Sequence, residues 1–391
     1  MSVPFVFQPT RAAGLEQLAR FLPHAGDYYS RQRNYDRGPQ GRDNTSGLSP
    51  WLRHRLLTET EVLKAVLARH GRASADRFIS EVFWGTYFRG WLEQRPSVRS
   101  AFVEGRDDAL GASGTDYAAA LAGRTGIDCF DAWVQELIVT GYLHNHARMW
   151  FASIWIFTLR LPWELGADFF LRHLIDGDPA VNTLSWRWVA GLHTAGKCYV
   201  ASADNIARFT EGLFCPRGLA TQAAPLREDR EHPRVPLLDA NAPPLEPFVS
   251  LLTSADLTAP DTRDMAPAIS IVLGLPEHGD TPTTRFRSGA LADTAERQGA
   301  RLALTDDWAG VVLDAVANCG LRCVAMPFAP VGNVRSRLDE MATRLGAAGL
   351  DVRRLRRTYD SVAWPHARAG YFGMKKKIPE ILDALGLHAG G

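Results

Sequence analysis

The chain of 391 residues contains five cysteines, Cys129, Cys198, Cys215, Cys319 and Cys323, and no CxxC pair. An odd, scattered set excludes a disulfide framework and suits a reducing compartment. Cys319 and Cys323 lie four apart, but neither histidines nor further cysteines complete a ligand set around them. No iron–sulfur spacing occurs, so no metal is expected. The amino terminus, MSVPFVFQPTR, has no cationic stretch followed by an apolar core, and no run of about eighteen apolar residues is present to span a bilayer. A soluble, cytoplasmic protein without membrane contact is the expectation. Neither GxGxxG nor a phosphate loop appears. Excess charge is also lacking: the formal net charge is +1, so affinity for nucleic acid must rest on a local patch. The first 55 residues supply one, with eight arginines against four acids. What the chain does have is 46% hydrophobic and 22% charged residues, a globular composition with length for two domains.

The most informative stretch runs from Thr140 to Trp188. Apolar residues recur at three and four between Gly141 and Pro162, which predicts a helix over Leu143–Leu161. Asn145, Arg148, Met149 and Ala152 share one face of it. An apolar helix has no structural need for an amide and a guanidinium on its inner face, and both are costly there without partners. That face is expected to meet a polar ligand. Downstream come Asp176-Gly177-Asp178, Asn182, Trp186 and Trp188. Two carboxylates beside a glycine can pair an arginine and accept hydrogen bonds from a flat heterocycle. Upstream, Thr45-Ser46-Gly47-Leu48-Ser49-Pro50 precedes a helix. Its hydroxyls and N–H groups read either as an anion cradle or as a plain cap, with Ser49 capping and Pro50 at the first helical position. Glu81 and Trp84, three apart, share a helical face.

Together the elements HN-x-x-RM, PW and DGD-x3-N-x3-W-x-W resemble the flavin-binding region of the photolyase/cryptochrome family. RTG-x3-FDAWVQEL-x-x-TG, EVFW-x-x-YFR and TSGLSPWL extend the resemblance, with gaps, from about Tyr29 to Phe214. The resemblance implies FAD as cofactor. Thr45, Ser46, Leu48 and Ser49 match the family's diphosphate-binding segment. Tyr29 and Tyr35 both precede it without the spacing deciding between them, and Tyr35 is carried as the contact. By the same resemblance Asn145 touches the flavin, Arg148 and Asp176 pair beside the isoalloxazine, Asp178 bonds it, and Asn182 sits next to N5. An amide at that position tolerates the reduced flavin anion better than a carboxylate would. Glu81, Trp84, Asn145, Met149 and Trp188 match the catalytic positions that hold a cyclobutane dimer, although tryptophan and methionine at helical spacing are also common core filler. Trp186 and Trp163 match the proximal and middle members of an electron-hopping chain. No distal tryptophan is found, and the region Arg106–Tyr117 offers only Tyr117. Gly85 stands where the family has an arginine near the flavin phosphates. His144 and His146 lie within HNHARM, which matches the cyclobutane type.

The implied function is FAD-dependent, light-driven repair of cyclobutane pyrimidine dimers, with damaged DNA as partner. The alternative is a blue-light receptor without repair activity, whose signalling partner would act through the carboxy-terminal domain. The expected fold is a mostly α-helical FAD-binding photolyase-like domain (1–215), a proline-rich linker (216–260) and a smaller α/β domain (261–391). Helices are expected at Thr10–Phe21, in two patterns between Trp51 and Trp91, and at Asp128–Val139, with 92–124 irregular. In the last domain strands at Ile269–Leu275, Arg301–Leu304, Arg322–Pro327 and Asp351–Leu355 alternate with helices near Arg287–Gln298, Trp308–Asn318 and Asn333–Ala347. The family normally begins with an α/β antenna domain. Here the α/β region follows the flavin region instead.

Overall fold

The structure, a computed structural model, describes residues 7–111, 114–262 and 265–388. Its amino-terminal half is helical. Helix α1 (Arg11–Phe21) is capped by Thr10, whose hydroxyl accepts from Ala13 N. Short α2 (Asp27–Gln32) and α3 (Ser49–Arg53) flank the polar loop. Then α4 (Glu59–Glu93) opens with a reciprocal capping box between Thr58 and Glu61. Gly71, at φ 68°, divides it in two, which is where the two helical patterns in the sequence meet.

Residues 92–124, expected to be irregular, form α5 (Ser97–Gly111) and α6 (Thr115–Leu121). Only Val98 and Phe102 of α5 are buried, so the helix carries almost no apolar periodicity to read. Helix α7 (Asp128–Thr140) ends at Gly141 in the left-handed region. The helix expected over Leu143–Leu161 is shorter: α8 spans Asn145–Ser153, and a π-turn over Ile154–Thr158 ends it. His144 stops it at the front, because its Nδ1 accepts from His146 N, 3.1 Å away, as a cap. Then come α9 (Trp163–His173), α10 (Pro179–Ala190) and α11 (Ala203–Phe209).

From 215 to 247 the chain has no regular element and wraps the molecule: Leu226 N bonds Ala190 O, Val235 N bonds Gln94 O, and Asn241 N bonds Arg354 O. The expected linker ends there. Strand β1 (Phe248–Thr253), every residue buried, lies inside the span assigned to it and is the middle strand of the sheet. Beside it run β2 (Ile269–Gly274), β3 (Arg301–Leu304), β4 (Cys323–Pro327) and β5 (Asp351–Leu355), in the order β3-β2-β1-β4-β5 and all parallel. Between them lie α12 (Pro282–Gln298), α13 (Trp308–Cys319) and α14 (Asn333–Ala347). Helix α12 begins five residues before the expected start because Thr281 caps it and Pro282 occupies its first position. Then come α15 (Thr358–Ala363) and α16 (Tyr371–Lys375), which pack on α4, and α17 (Ile378–Ala384), which packs on α15.

One buried cluster joins the two halves: Trp51, Phe83 and Tyr87 of the helical half pack with Phe286, Leu291, Tyr359 and Ile381. A buried ionic network also joins them. Arg89 Nε bonds Asp178 Oδ2 (2.9 Å) and its Nη1 bonds Glu59 (2.6 Å). Arg55 lies 3.4 Å from Glu59 and bonds Asp360 (2.7 Å) and Asp256 (3.2 Å), and Arg357 bonds Asp256 (2.6 Å). Each charge meets an opposite partner, which burial requires. No helix among the described residues is long and apolar enough to cross a membrane.

Candidate functional site

Helix α10 packs against both α4 and α8. On α10 the partly exposed side chains after Pro179 are Val181, Ser185 and Trp188, at i, i+4 and i+7, so they form one stripe. On α4, Glu81, Val82, Trp84 and Gly85 are also partly exposed; on α8, Arg148 and Met149 are partly exposed and Asn145 is exposed. A Cβ built at Gly85 would meet only Val181 Cγ2, at 3.9 Å, so the missing arginine leaves room at this crossing.

Ser49 does not cap α3. Its hydroxyl leaves the helix and donates to Asp176 Oδ2 at 2.5 Å, and Arg148 Nη2 donates to the same oxygen at 2.8 Å. Arg148 Nε bonds Leu143 O (3.0 Å), and the guanidinium lies 5.0 Å over the Tyr142 ring. Burial lowers the pKa of Arg148, but Asp176 and Tyr142 outweigh it and raise the pKa on balance. Three segments far apart in sequence thus meet at one carboxylate. The other oxygen, Asp176 Oδ1, is buried without a partner.

Asp178 is used differently. Its Oδ1 accepts from Ala180 N (2.9 Å) and Val181 N (3.0 Å), capping α10, and Oδ2 takes Arg89. Burial pushes its pKa up, but Arg89 and Arg53 overcome this and hold it at about 2. Both oxygens of Asp178 are therefore engaged within the chain. Asn182 is buried and its Nδ2 donates to Ala167 O at 2.8 Å, which fixes the amide's orientation.

The polar loop is held by Asn44, whose Nδ2 donates to Gln32 O (2.8 Å) and Tyr35 O (2.7 Å). Ser46 O accepts from Gln17 (2.7 Å), Leu48 is fully buried, and Thr45 Oγ1 is buried without a partner. Tyr35 is half-buried against Phe209, ring centres 5.2 Å apart, while Tyr29 packs between Phe21 and Phe78 in the core.

Of the expected dimer-binding residues, Asn145 is exposed at the start of α8 and Met149 is half-buried. Trp188 stacks on Tyr199 at 5.8 Å. Glu81 is ion-paired with Arg33; burial, only partly offset by Arg33, leaves its pKa raised. Trp84 is stacked by Tyr371 at 3.6 Å and 12°, and Tyr371 is anchored by its hydroxyl to Ser80 O at 2.6 Å. His144 is buried and neutral, pushed down to about 3 by burial and by Arg42, and the His146 ring stacks on Trp150 at 4.4 Å. Trp186 is buried with its Nε1 unpartnered, and Trp163 lies beside Phe102 at 5.6 Å.

Sequence reasoning missed Arg33, Asn44 and Tyr142. Asn44 directly precedes the TSGLSP segment, the one signal it offered. The arginine-rich amino terminus does not form a free cationic patch: Arg11, Arg33, Arg37, Arg42, Arg53 and Arg55 are all paired with acids.

FAD carries ribityl hydroxyls and an imide N–H, all donors. Asn44 Oδ1, Thr45 Oγ1 and Asp176 Oδ1 are buried oxygens without partners on the loops where cofactor contacts are expected. Buried orphans of this kind call for a ligand or water, and the donor set of FAD fits them. Cavities of about 150 Å³ beside β1, one of which reaches Asp178, are too small for a dinucleotide.

Residues 78–211 match the FAD binding domain of DNA photolyase. The chain is 34% identical over 152 residues to a deoxyribodipyrimidine photo-lyase of Streptomyces griseus, covering 39% of this chain and 33% of that protein. To one of Thermus thermophilus it is 32% identical over 193 residues, 47% of this chain and 43% of the relative. A class III photolyase structure from Agrobacterium tumefaciens aligns at 26% identity with a TM-score of 0.43, over 52% of this chain and 43% of that one. The chain spans less than half the length of these relatives. Residues 78–211 are thus similar to the FAD binding domain of DNA photolyase, and FAD is the cofactor.

Proposed function

We propose that this protein uses FAD for light-driven repair of cyclobutane pyrimidine dimers in DNA. The observation that carries the reading is the convergence of Ser49 and Arg148 on one buried carboxylate, Asp176, whose other oxygen has no partner in the chain. Bound and reduced, FAD supplies a single electron under light. The chain's own residues do the rest. Arg148 and Asp176 hold the flavin in place, with Thr45, Ser46, Leu48 and Ser49 beneath its diphosphate and Tyr35 and Asn145 at its margin. Asn182, locked by Ala167 O, presents an uncharged amide and so does not oppose negative charge on the ring. Met149 and Trp188, both partly exposed, would meet the flipped base. In this reading 1–215 is the flavin domain and the parallel sheet a companion domain.

The test is a short oligonucleotide with one thymine dimer, incubated with reduced, flavin-loaded protein under blue light and in darkness. Repair requires light-dependent recovery of intact thymines. Bound flavin with no dimer split refutes it.

A second reading, the blue-light receptor, is favoured by one observation. Trp84 and Glu81, the residues assigned to the lesion, are engaged by Tyr371 and Arg33 of the same chain. Tyr371 belongs to the carboxy-terminal segment, so a signalling partner acting there would bear on the Trp84 ring. Light-dependent change in proteolysis between Trp364 and Lys377, without repair, supports this reading.

A further inference from the structure

Trp186 lies on a gap left by a glycine. A methyl group built at Gly166 would meet Trp186 Cζ3 at 2.5 Å and Trp155 Cε2 at 2.9 Å, so both indoles press on the same bare backbone position. Their ring centres are 6.2 Å apart at 89°. Trp155 is fully buried, and its Nε1 donates to Pro162 O at 2.8 Å. On its other side the Tyr117 ring lies 6.1 Å away at 84°. Tyr117 sits on α6 and is partly exposed. A file of rings therefore runs from the buried centre of the helical half to its surface: Trp186, Trp155, Tyr117.

The other rings around Trp155 are Phe130 at 6.3 Å, Phe151 at 6.0 Å and Phe169 at 6.4 Å. Phenylalanine is not oxidised at biochemical potentials, so only the indoles and the phenol of this cluster can carry a hole. Trp163 is placed less favourably. No ring contact joins it to Trp186 among the described residues; its neighbours are Phe102 and the Arg187 guanidinium, 5.9 Å from its ring. A cation over an indole stabilises the neutral ring and disfavours its oxidation. Among the described residues no cation lies over Trp155, and its bond to a carbonyl oxygen stabilises positive charge on the indole.

We propose that Trp155 and Tyr117 form an electron relay from the protein surface through Trp186 to the flavin, in place of the route through Trp163. The proposal rests on the light-driven reading above. One electron leaves Trp186 for the photoexcited oxidised flavin. Trp186 is refilled from Trp155, and Trp155 from Tyr117. Tyr117 gives up its phenolic proton to water as it loses its electron. An external thiol then returns a hydrogen atom to the phenoxyl oxygen and is left as a thiyl radical. The net change is one electron to the flavin and one proton to water for each thiol S–H broken.

The experiment uses flavin-loaded wild type, Tyr117→Phe, Trp155→Phe and Trp163→Phe. Flavin absorbance shows cofactor occupancy, and circular dichroism shows that each is folded. After a flash, transient absorption and electron paramagnetic resonance identify the radical, and spin trapping with peptide mass spectrometry locates it. A tyrosyl radical is expected in wild type and in Trp163→Phe, with the adduct on Tyr117. It is lost in Tyr117→Phe, a conservative change at a partly exposed ring, and in Trp155→Phe. Adding thiol shortens the radical's lifetime in wild type. A radical confined to tryptophan in wild type, or a tyrosyl signal lost in Trp163→Phe and kept in Trp155→Phe, overturns the relay. Failure to take up FAD removes the relay and the cofactor together; uptake of FAD without a tyrosyl radical removes the relay alone.

Discussion

Replacing Asp178 by asparagine keeps a good helix cap and turns the charged oxygen that accepts from Arg89 into a neutral amide nitrogen. The carboxylate is buried, its side chain 6% exposed, and it meets Arg89 at 2.9 Å and Arg53 at 3.8 Å. A carboxyl held at about 2 instead of 3.8 favours the charged, folded form by about 2.5 kcal/mol, at about 1.4 kcal/mol per tenfold. Removing one partner of a buried pair costs about 3–5 kcal/mol. Arg89 keeps Glu59, so the lower end applies, and Asp178→Asn is expected to lose about 3 kcal/mol. Asp178→Ala also loses the cap, for about 1 kcal/mol more. The assay is urea unfolding followed by tryptophan fluorescence, without added flavin so that ligand binding does not contribute. The folded pKa is depressed, so the charge contributes fully above the unfolded value and is lost as pH falls through the folded one. The gap between wild type and Asp178→Asn should hold from pH 7 to about 5 and narrow by about 1 kcal/mol at about pH 3. A deficit under about 1 kcal/mol at neutral pH, against the cost of breaking a buried pair, refutes the account.

Gly166→Ala places a methyl group against Trp186 and Trp155, an overpacking expected to cost about 1–3 kcal/mol and to shift the near-ultraviolet dichroism of the two indoles. Unchanged unfolding would show that the indoles are not held there. Asn182→Asp faces its carboxylate toward Ala167 O and loses the donated bond, so stability should fall by about 1–3 kcal/mol. The new charge should also alter which flavin redox state accumulates under illumination, and an unchanged absorption spectrum would contradict the placement of Asn182 beside the ring.

Local pattern carried much of the helical half. Gly141 ends α7 and Thr58 with Glu61 starts α4 by interactions confined to a few neighbouring residues, and such signals survive in any tertiary context. The fixed spacing of HN-x-x-RM and DGD likewise marked Arg148 and Asp176 before their contact was known. Strand β1 was hidden for a physical reason. A central parallel strand is buried on both faces, so FVSLLT shows no alternation, and proline-rich flanks made it look like linker.

What the sequence by itself determined is the identity and local geometry of the groups: which residues cap and which lie on one helical face. What only the tertiary structure decided is who meets whom. Asp178 met Arg89, Tyr371 came to rest on Trp84, and Tyr117 reached Trp155. Those pairings join residues 38 to 287 positions apart through shared burial and buried charge. Neither leaves a periodicity or spacing along the chain, so they exist only once the chain is folded.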